Sequence, residues 1–474
     1  MQFPEFDRAT TLVIFGATGD LSRKKLIPAL FDMYRRNYLP TQFQVVGFSR
    51  RAMSDEEFQV FVLETLKAKA DKHDMEIIQA FVRLFHYQRG DFDVLESYSE
   101  LSTHLQAIDM QVGVCMNKLF YLAVPPTAYK SIFLHLHASE LTVPCSDVVG
   151  WTRVLVEKPF GRDLETAQEL DTLLSNSFQE KQIFRIDHYL AKETIQDILT
   201  FRFSNTIFEP IWNNTWIEKV EIKLWEDIDI ASRGVLYDDI GALRDVGQNH
   251  ILQMLALIAM EHPGDITADA IRQARVSVIE KLQLFTDTLS ESVVRGQYEG
   301  FVESDGVVQD SSTETYFKLK TKIDTERWRG VPFFLESGKA LKDKKVEIIV
   351  TFKGAHPCFC PESHDVHAHQ NTVTFSIQPL EKITVRFWSK KPGMIADVSA
   401  QDLSFDYATK EGDDNRVDAY ERVLFDCIAG DQTLFASTDE VQSSWAFITP
   451  ILDAWHNTPL VSYPKGSEGP ENSL

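Results

Sequence analysis

Cysteine is scarce: Cys115, Cys145, Cys358, Cys360 and Cys427, five among 474 residues, are too few and too scattered for a disulfide framework. That usage fits a reducing compartment, and the expected location is the cytoplasm. Positive charge is also short. With 48 Lys and Arg against 70 Asp and Glu, the formal net charge is −22, which argues against holding nucleic acid or an anionic membrane through the overall field. An anionic ligand must therefore be held by local basic side chains. Long apolar runs are missing as well. The most apolar helix-like stretch, Ile251 to Met260, falls far short of the ~20 residues that span a bilayer and reads as a buried core helix. The opening MQFPEFDRATTLVIFG lacks the basic, apolar and small-residue segments of a secretory signal, so neither a signal nor a transit peptide is expected. No internal repeat is visible.

What is present suits a large folded protein. At 44% hydrophobic and 25% charged residues, the chain can bury a substantial core, and its length suits two or three domains. Residues 11 to 150 alternate strand-like runs (TLVIFG, FQVVGFS, KLFYLAVPP) with helical stretches, a rhythm that predicts right-handed crossovers and a parallel sheet. RVLVEKPFG adds a short buried strand. Beyond about residue 200, strands come in runs (WIEKVEIKLWE, KKVEIIVTFKG, NTVTFSIQPL, KITVRFWS) apart from long helices (GALRDVGQNHILQMLALIAM, VDAYERVLFDCIAG), which suggests a mostly antiparallel α+β domain. The expected fold class is α/β plus α+β: a Rossmann-like dinucleotide-binding domain over 1–187, then an α+β domain over 188–474. The polar tail from Lys465 is expected to fray.

The strand TLVIF runs into Gly16, Ala17, Thr18, Gly19, Asp20 and Leu21 and then a helix with Lys24 and Lys25. Glycines there let the backbone approach a pyrophosphate, and a helix amino terminus offers free N–H groups and a positive dipole end. The spacing is GxxG rather than GxGxxG, and an ordinary strand-to-helix turn also wants glycine. The second strand ends at Arg50 and Arg51, where a free ribose 2′-hydroxyl would usually meet Asp or Glu. Two guanidinium groups suit a 2′-phosphate and point to NADP over NAD; the alternative is a solvated surface pair.

Two short motifs remain, Glu157-Lys158-Pro159-Phe160-Gly161 and Arg185-Ile186-Asp187-His188-Tyr189-Leu190-Ala191-Lys192-Glu193. If the second is helical beyond Asp187, His188 and Lys192 fall at i and i+4 and could clamp one phosphate. Together with GATGDLSRKKLIPALF, FYLAVPP, RDVGQNHILQ, SGKALKDKK, KKPG and DAYERVLFD in this order, the pattern resembles the glucose-6-phosphate dehydrogenase family from about Thr11 to Gly469.

The resemblance implies oxidation of glucose 6-phosphate to 6-phospho-D-glucono-1,5-lactone with reduction of NADP, the first step of the oxidative pentose phosphate pathway. Matched motif by motif, His250 takes the place of the base that removes the C1 hydroxyl proton, and Asp187 that of its orienting carboxylate. Asp245 lies nearer along the chain, but i to i+5 puts it well round an ideal helix from His250. His188, Tyr189 and Lys192 match the 6-phosphate site. Lys158 reaches between sugar and nicotinamide, Glu226 and Asp245 match sugar-hydroxyl contacts, Lys339 and Lys344 match basic substrate contacts, and Lys25 fits near the join. Gly16, Thr18, Gly19, Asp20, Leu21, Arg50 and Arg51, with Lys158, form the implied cofactor set. Pro159 is expected to follow a cis peptide, as in the family. The arginine that eukaryotic members of the family use for a second, structural NADP is Ser376 here, so that site is not expected. Some relatives vary at Arg51 and use NAD as well.

His356, Cys358, Cys360, His364, His367 and His369 offer zinc or copper ligand types, but their spacing matches no standard zinc pattern, and no metal is expected. The competing functions are a sugar oxidoreductase of the glucose-fructose type, which would not require the phosphate-directed cations, and a catalytically silent NADP-binding sensor, which would not require His250 with Asp187. A homodimer or homotetramer is the expected assembly.

Overall fold

The structure is a computed structural model describing residues 7–67, 75–146, 150–231, 233–354, 369–394, 398–407, 417–455, 458–471 and 474. The chain divides into two compact units: Met1–Gly161, Glu165–Ala191 and Asn415–Thr438 form the first, and Arg162–Leu164, Lys192–Asp414 and Asp439–Leu474 the second.

In the first unit, β1 (Thr10–Phe15), β2 (Phe43–Ser49), β3 (Phe85–Arg89), β4 (Asn117–Leu122), β5 (Thr152–Val156) and β6 (Ile183–Ile186) form a parallel sheet in the order β6-β5-β4-β1-β2-β3. Every residue of β1, β4 and β5 is buried, which explains their near-continuous apolar runs: helices cover both faces, so no period of two appears. The strand order reverses at β1, which has β2 on one side and β4 on the other. In such sheets ligands bind outside the carboxyl ends of the strands at this switch point.

One expectation is corrected here. The helix Ala419–Ala429, anticipated in the second domain, belongs to the first unit, and Phe435–Ala436 adds an antiparallel edge strand beside β6. The physical reason is burial. Val423, Leu424, Cys427, Ile428 and Phe435 join the core of the parallel sheet, and Arg153 donates to the Cys427 and Ile428 carbonyls at 2.7 and 2.8 Å, satisfying helix-end acceptors. Despite the small cysteine count, Cys115 and Cys145 are joined in a disulfide, their Cα atoms 6.6 Å apart. Cys427 is a buried free thiol.

In the second unit, β7 (Ile217–Trp225), β8 (Leu282–Leu284), β9 (Val293–Tyr298), β10 (Tyr316–Ile323), β11 (Phe333–Gly338), β12 (Lys345–Phe352), β13 (Thr372–Gln378), β14 (Lys382–Lys390) and β15 (Val398–Asp406) join the strand Leu460–Tyr463 in a ten-stranded sheet. The pairs β7 with β11 and β9 with Leu460–Tyr463 are parallel; the other pairs are antiparallel. Val220, Ile222 and Leu224 alternate with the less buried Glu221 and Lys223 on β7, as a sheet packed on one face requires. A helix covering Leu243–Ala259 packs against β7 and β11, and its Leu252–Ala259 part is wholly buried. The described part of the tail is tied to the second unit at Ser467, whose carbonyl accepts from Lys342 N–H at 2.8 Å and which forms a bridge with Leu341. Among the described residues, no helix is long and apolar enough to cross a membrane.

Candidate active site

At the carboxyl end of β1 the chain turns through Gly16, whose φ of +80° is in the left-handed region. A Cβ there would lie 2.5 Å from the Ala123 carbonyl oxygen, which follows β4 at the switch point, so glycine is required. Gly19 N–H closes the turn on the Gly16 carbonyl at 2.9 Å, and the Thr18 hydroxyl meets that of Ser49 at 3.0 Å. Asp20 is ion-paired with Lys24 at 2.8 Å on the surface, and Leu21 precedes the helical turn Ser22–Leu26 that holds Lys25. Arg50 and Arg51 follow β2 directly, both exposed. Tyr87 fixes this corner, its hydroxyl 2.6 Å from the Arg51 carbonyl and 3.2 Å from that of Ser49.

A second cluster in the same unit follows β5 and β6. The Lys158–Pro159 peptide is cis, as expected. Glu157 is its hub: one carboxylate oxygen accepts from the Tyr121 hydroxyl at 2.6 Å, the other lies 3.3 Å from His188 Nε2, and its carbonyl accepts from the Tyr129 hydroxyl at 3.0 Å. Burial, reinforced by the Glu157 charge, holds the Tyr121 hydroxyl well above its usual range, so it stays a donor. His188 packs on the Tyr420 ring at 4.2 Å, and Lys25 lies over the same ring at 5.6 Å. Asp187 is buried and accepts from the Tyr189 N–H at 2.9 Å.

The third cluster belongs to the second unit. Lys339, at the end of β11, is buried; its ammonium pairs with Glu226 and lies 3.7 Å from Asp245 and 5.0 Å from the centre of the Tyr237 ring. His250 is 4% exposed. Lys344 is exposed in the turn before β12.

Two spacing arguments are corrected. Residues 188–191 form turns and the helix begins only at Glu193 with Lys192 as its cap, so His188 and Lys192 share no helical face. Leu243–Ile251 is π-helical, and its i→i+5 bonding puts residues five apart about one turn from each other. Asp245 is therefore much nearer to His250 in angle than an ideal α-helix allows.

Glu157, Tyr121, Tyr237 and Tyr420 join these clusters beside the candidate residues, although the sequence analysis singles out none of them. Glu157 and Tyr420 lie inside motifs already noticed, EKPFG and DAYERVLFD, so the signal was there; for Tyr121 and Tyr237 there was none. Of the His/Cys-rich segment only His369 is described, its ring edge-on to Trp388 at 4.3 Å; the rest lies outside the described residues. Elsewhere, the metal-type ligand atoms of Asp109, Cys115 and Cys145 lie within 4.8 Å of one another, but the two sulfurs are bonded and Lys118 pairs with Asp109 at 2.9 Å.

Residues 13–197 match the NAD binding domain of glucose-6-phosphate dehydrogenase and residues 199–474 its C-terminal domain. The chain belongs to the glucose-6-phosphate dehydrogenase family. The glucose-6-phosphate 1-dehydrogenase of Chlamydia pneumoniae is 39% identical over 485 residues, covering 98% of this chain and 93% of that one. That of Bacillus subtilis is 38% identical over 476 residues, covering 98% and 95%. A solved glucose-6-phosphate dehydrogenase in complex with its substrate glucose-6-phosphate superposes with a TM-score of 0.90 at 33% identity, covering 98% of this chain and 96% of that one. The Mycobacterium avium glucose-6-phosphate 1-dehydrogenase gives 0.83 at 32%, with the same coverage.

Proposed function

We propose that the chain carries out its family's reaction, oxidation of glucose 6-phosphate at C1 to the 1,5-lactone at the entry to the oxidative pentose phosphate pathway, with NADP as acceptor and His250 as base. The observation that carries the choice of NADP is the exposed Arg50-Arg51 pair at the end of β2, in place of an acidic residue. The tight glycine turn after β1 at the switch point supports a dinucleotide there, since only glycine accommodates the left-handed backbone packed against Ala123.

NADP supplies the hydride acceptor when bound. The chain's own residues do the rest. An imidazole is a suitable base near neutral pH, so His250 removes the C1 hydroxyl proton; the Asp187 carboxylate orients it and stabilises the imidazolium. His188, Tyr189 and Lys192 take the 6-phosphate, and Glu226 and Asp245 take sugar hydroxyls. Lys25, Lys158, Lys339 and Lys344 concentrate positive charge despite the net −22. These roles rest on the motif matches; the paired carboxylates around Lys339 support its placement. We further propose a cytoplasmic homodimer or homotetramer. The apolar Leu403 and Phe405 left exposed on the outer strand β15 support self-association.

The deciding experiment follows absorbance at 340 nm with glucose 6-phosphate and either NADP or NAD, and unphosphorylated glucose as control. NADPH formation with the phosphorylated sugar alone is expected; equal rates with glucose would overturn the assignment of the phosphate contacts. Arg50→Ala should raise KM for NADP roughly tenfold, the loss of one charge-assisted bond, with KM for NAD little changed. A parallel rise for both cofactors would remove Arg50 from the 2′-phosphate. Glu157→Gln, which keeps an acceptor but not the charge beside His188, should raise KM for glucose 6-phosphate roughly fivefold. An unchanged KM would separate Glu157 from substrate binding.

A further inference from the structure

Glu314 lies just before β10, almost fully buried, outside every motif of the family pattern described above. Its backbone carbonyl accepts from Ala242 N–H at 3.0 Å and its side-chain Oε1 from Leu243 N–H at 2.9 Å. Both donors belong to the first turn of the helix that carries Asp245 and His250, where N–H groups have no partner within the helix. Gly241 leaves room for the carboxyl: its φ is +74°, and a Cβ there would meet Glu314 Oε1 at 2.3 Å.

The next residue holds the other side of the cluster. The Thr315 carbonyl accepts from Lys339 N–H at 2.9 Å, and the Tyr463 hydroxyl, 2.8 Å from Thr315 Oγ1, is also 2.8 Å from the Lys339 carbonyl. Two consecutive residues thus fix both the start of the Asp245 and His250 helix and the backbone of the lysine that pairs with Glu226 and Asp245.

We propose that Glu314 is a positioning residue for glucose 6-phosphate oxidation, its carboxyl holding the first turn of the helix that presents Asp245 and His250 in register with Lys339. It touches neither substrate nor cofactor. A carboxyl suits the place because the helix start favours negative charge, and an ionised acceptor binds an N–H more strongly than a neutral one. Burial pushes the group up to about 7, against the opposing pull of the Leu243 N–H and of Arg244 and Arg295. Tyr237, from the turn before the helix, feels the Glu314 charge together with those of Asp245 and Glu226 and the Tyr463 hydroxyl around the same cluster. Near neutral pH the clamp is therefore part ionised and tightens as pH rises.

This inference rests on the proposed assignment of Asp245, Lys339 and His250. The test compares the full-length wild type with Glu314→Leu and Glu314→Gln, measuring KM for glucose 6-phosphate and for NADP at pH 6 and pH 8. Glu314→Leu, which loses the acceptor, should raise KM for glucose 6-phosphate roughly tenfold and leave KM for NADP unchanged. Glu314→Gln keeps an acceptor that cannot ionise, so its KM for the sugar should match wild type at pH 6 and exceed it roughly threefold at pH 8. If Glu314→Leu does not fold, the pH-dependent gap between Glu314→Gln and wild type decides alone. A Glu314→Gln enzyme indistinguishable from wild type at both pH values would overturn the proposal, as would equal rises in both KM values. A wild type inactive on glucose 6-phosphate would instead overturn the functional assignment, which separates the two failures.

Discussion

Replacing His250 by alanine should lower kcat for glucose 6-phosphate by about 10³-fold, the middle of the ~10²–10⁴ range that a positioned general base contributes. The argument starts from the placement. His250 is 4% exposed, in the π-helical part of a helix whose first turn is held by Glu314. NADP affinity should not change, because the Gly16 turn and the Arg50-Arg51 pair belong to the other unit. Turnover at 340 nm and a separate NADP titration by fluorescence check both halves. A mutant keeping more than about a tenth of wild-type turnover would remove His250 from the base role, since that loss falls below the general-base range.

Arg275→Met should produce the largest loss of stability. Arg275, on the helix Ala268–Ile279, meets Glu440, on the helix Thr438–Ala454, through two bonds of 2.7 and 3.2 Å. Their side chains are only 1% and 0% exposed. Methionine fills similar volume but leaves the Glu440 carboxylate buried without its guanidinium, which costs about 3–5 kcal/mol. Adding Glu440→Leu should recover most of the loss, because a paired apolar replacement removes the stranded charge as well. Urea denaturation of wild type, single and double variants measures this; a single-variant loss below about 1 kcal/mol would show that the carboxylate is not stranded.

Sequence patterns located strands such as β1, β2, β4, β5, β7 and β12 because each is either an unbroken buried run or a period-two alternation. Phe435–Ala436 has no such signature at two residues, and its pairing with β6 depends on chain returning from far away. The helix Ala419–Ala429 was recognisable as a helix, yet its amphipathic face says that it must be covered, not by which sheet. Near the site, residue types in motifs were legible but their partners were not. Asp245 was set aside on an angle of 100° per residue, and only the observed hydrogen bonding shows that the helix departs from that period. Glu314 gave no signal at all: one acidic residue at a strand start looks like ordinary surface polarity until its burial is known.

The return of residues 419–436 to the first unit has a consequence for biosynthesis. Val423, Leu424, Cys427, Ile428 and Phe435 complete a core whose other buried members all lie at or before Ala191. As the ribosome releases the amino-terminal portion, that apolar surface has no cover until some 230 further residues have been made, tens of seconds at ~5–20 residues per second. During that interval the nascent chain offers β6 as an unpaired edge and exposes the apolar ground on which Leu424 and Ile428 will settle, so chaperone binding and premature self-association should both concentrate there.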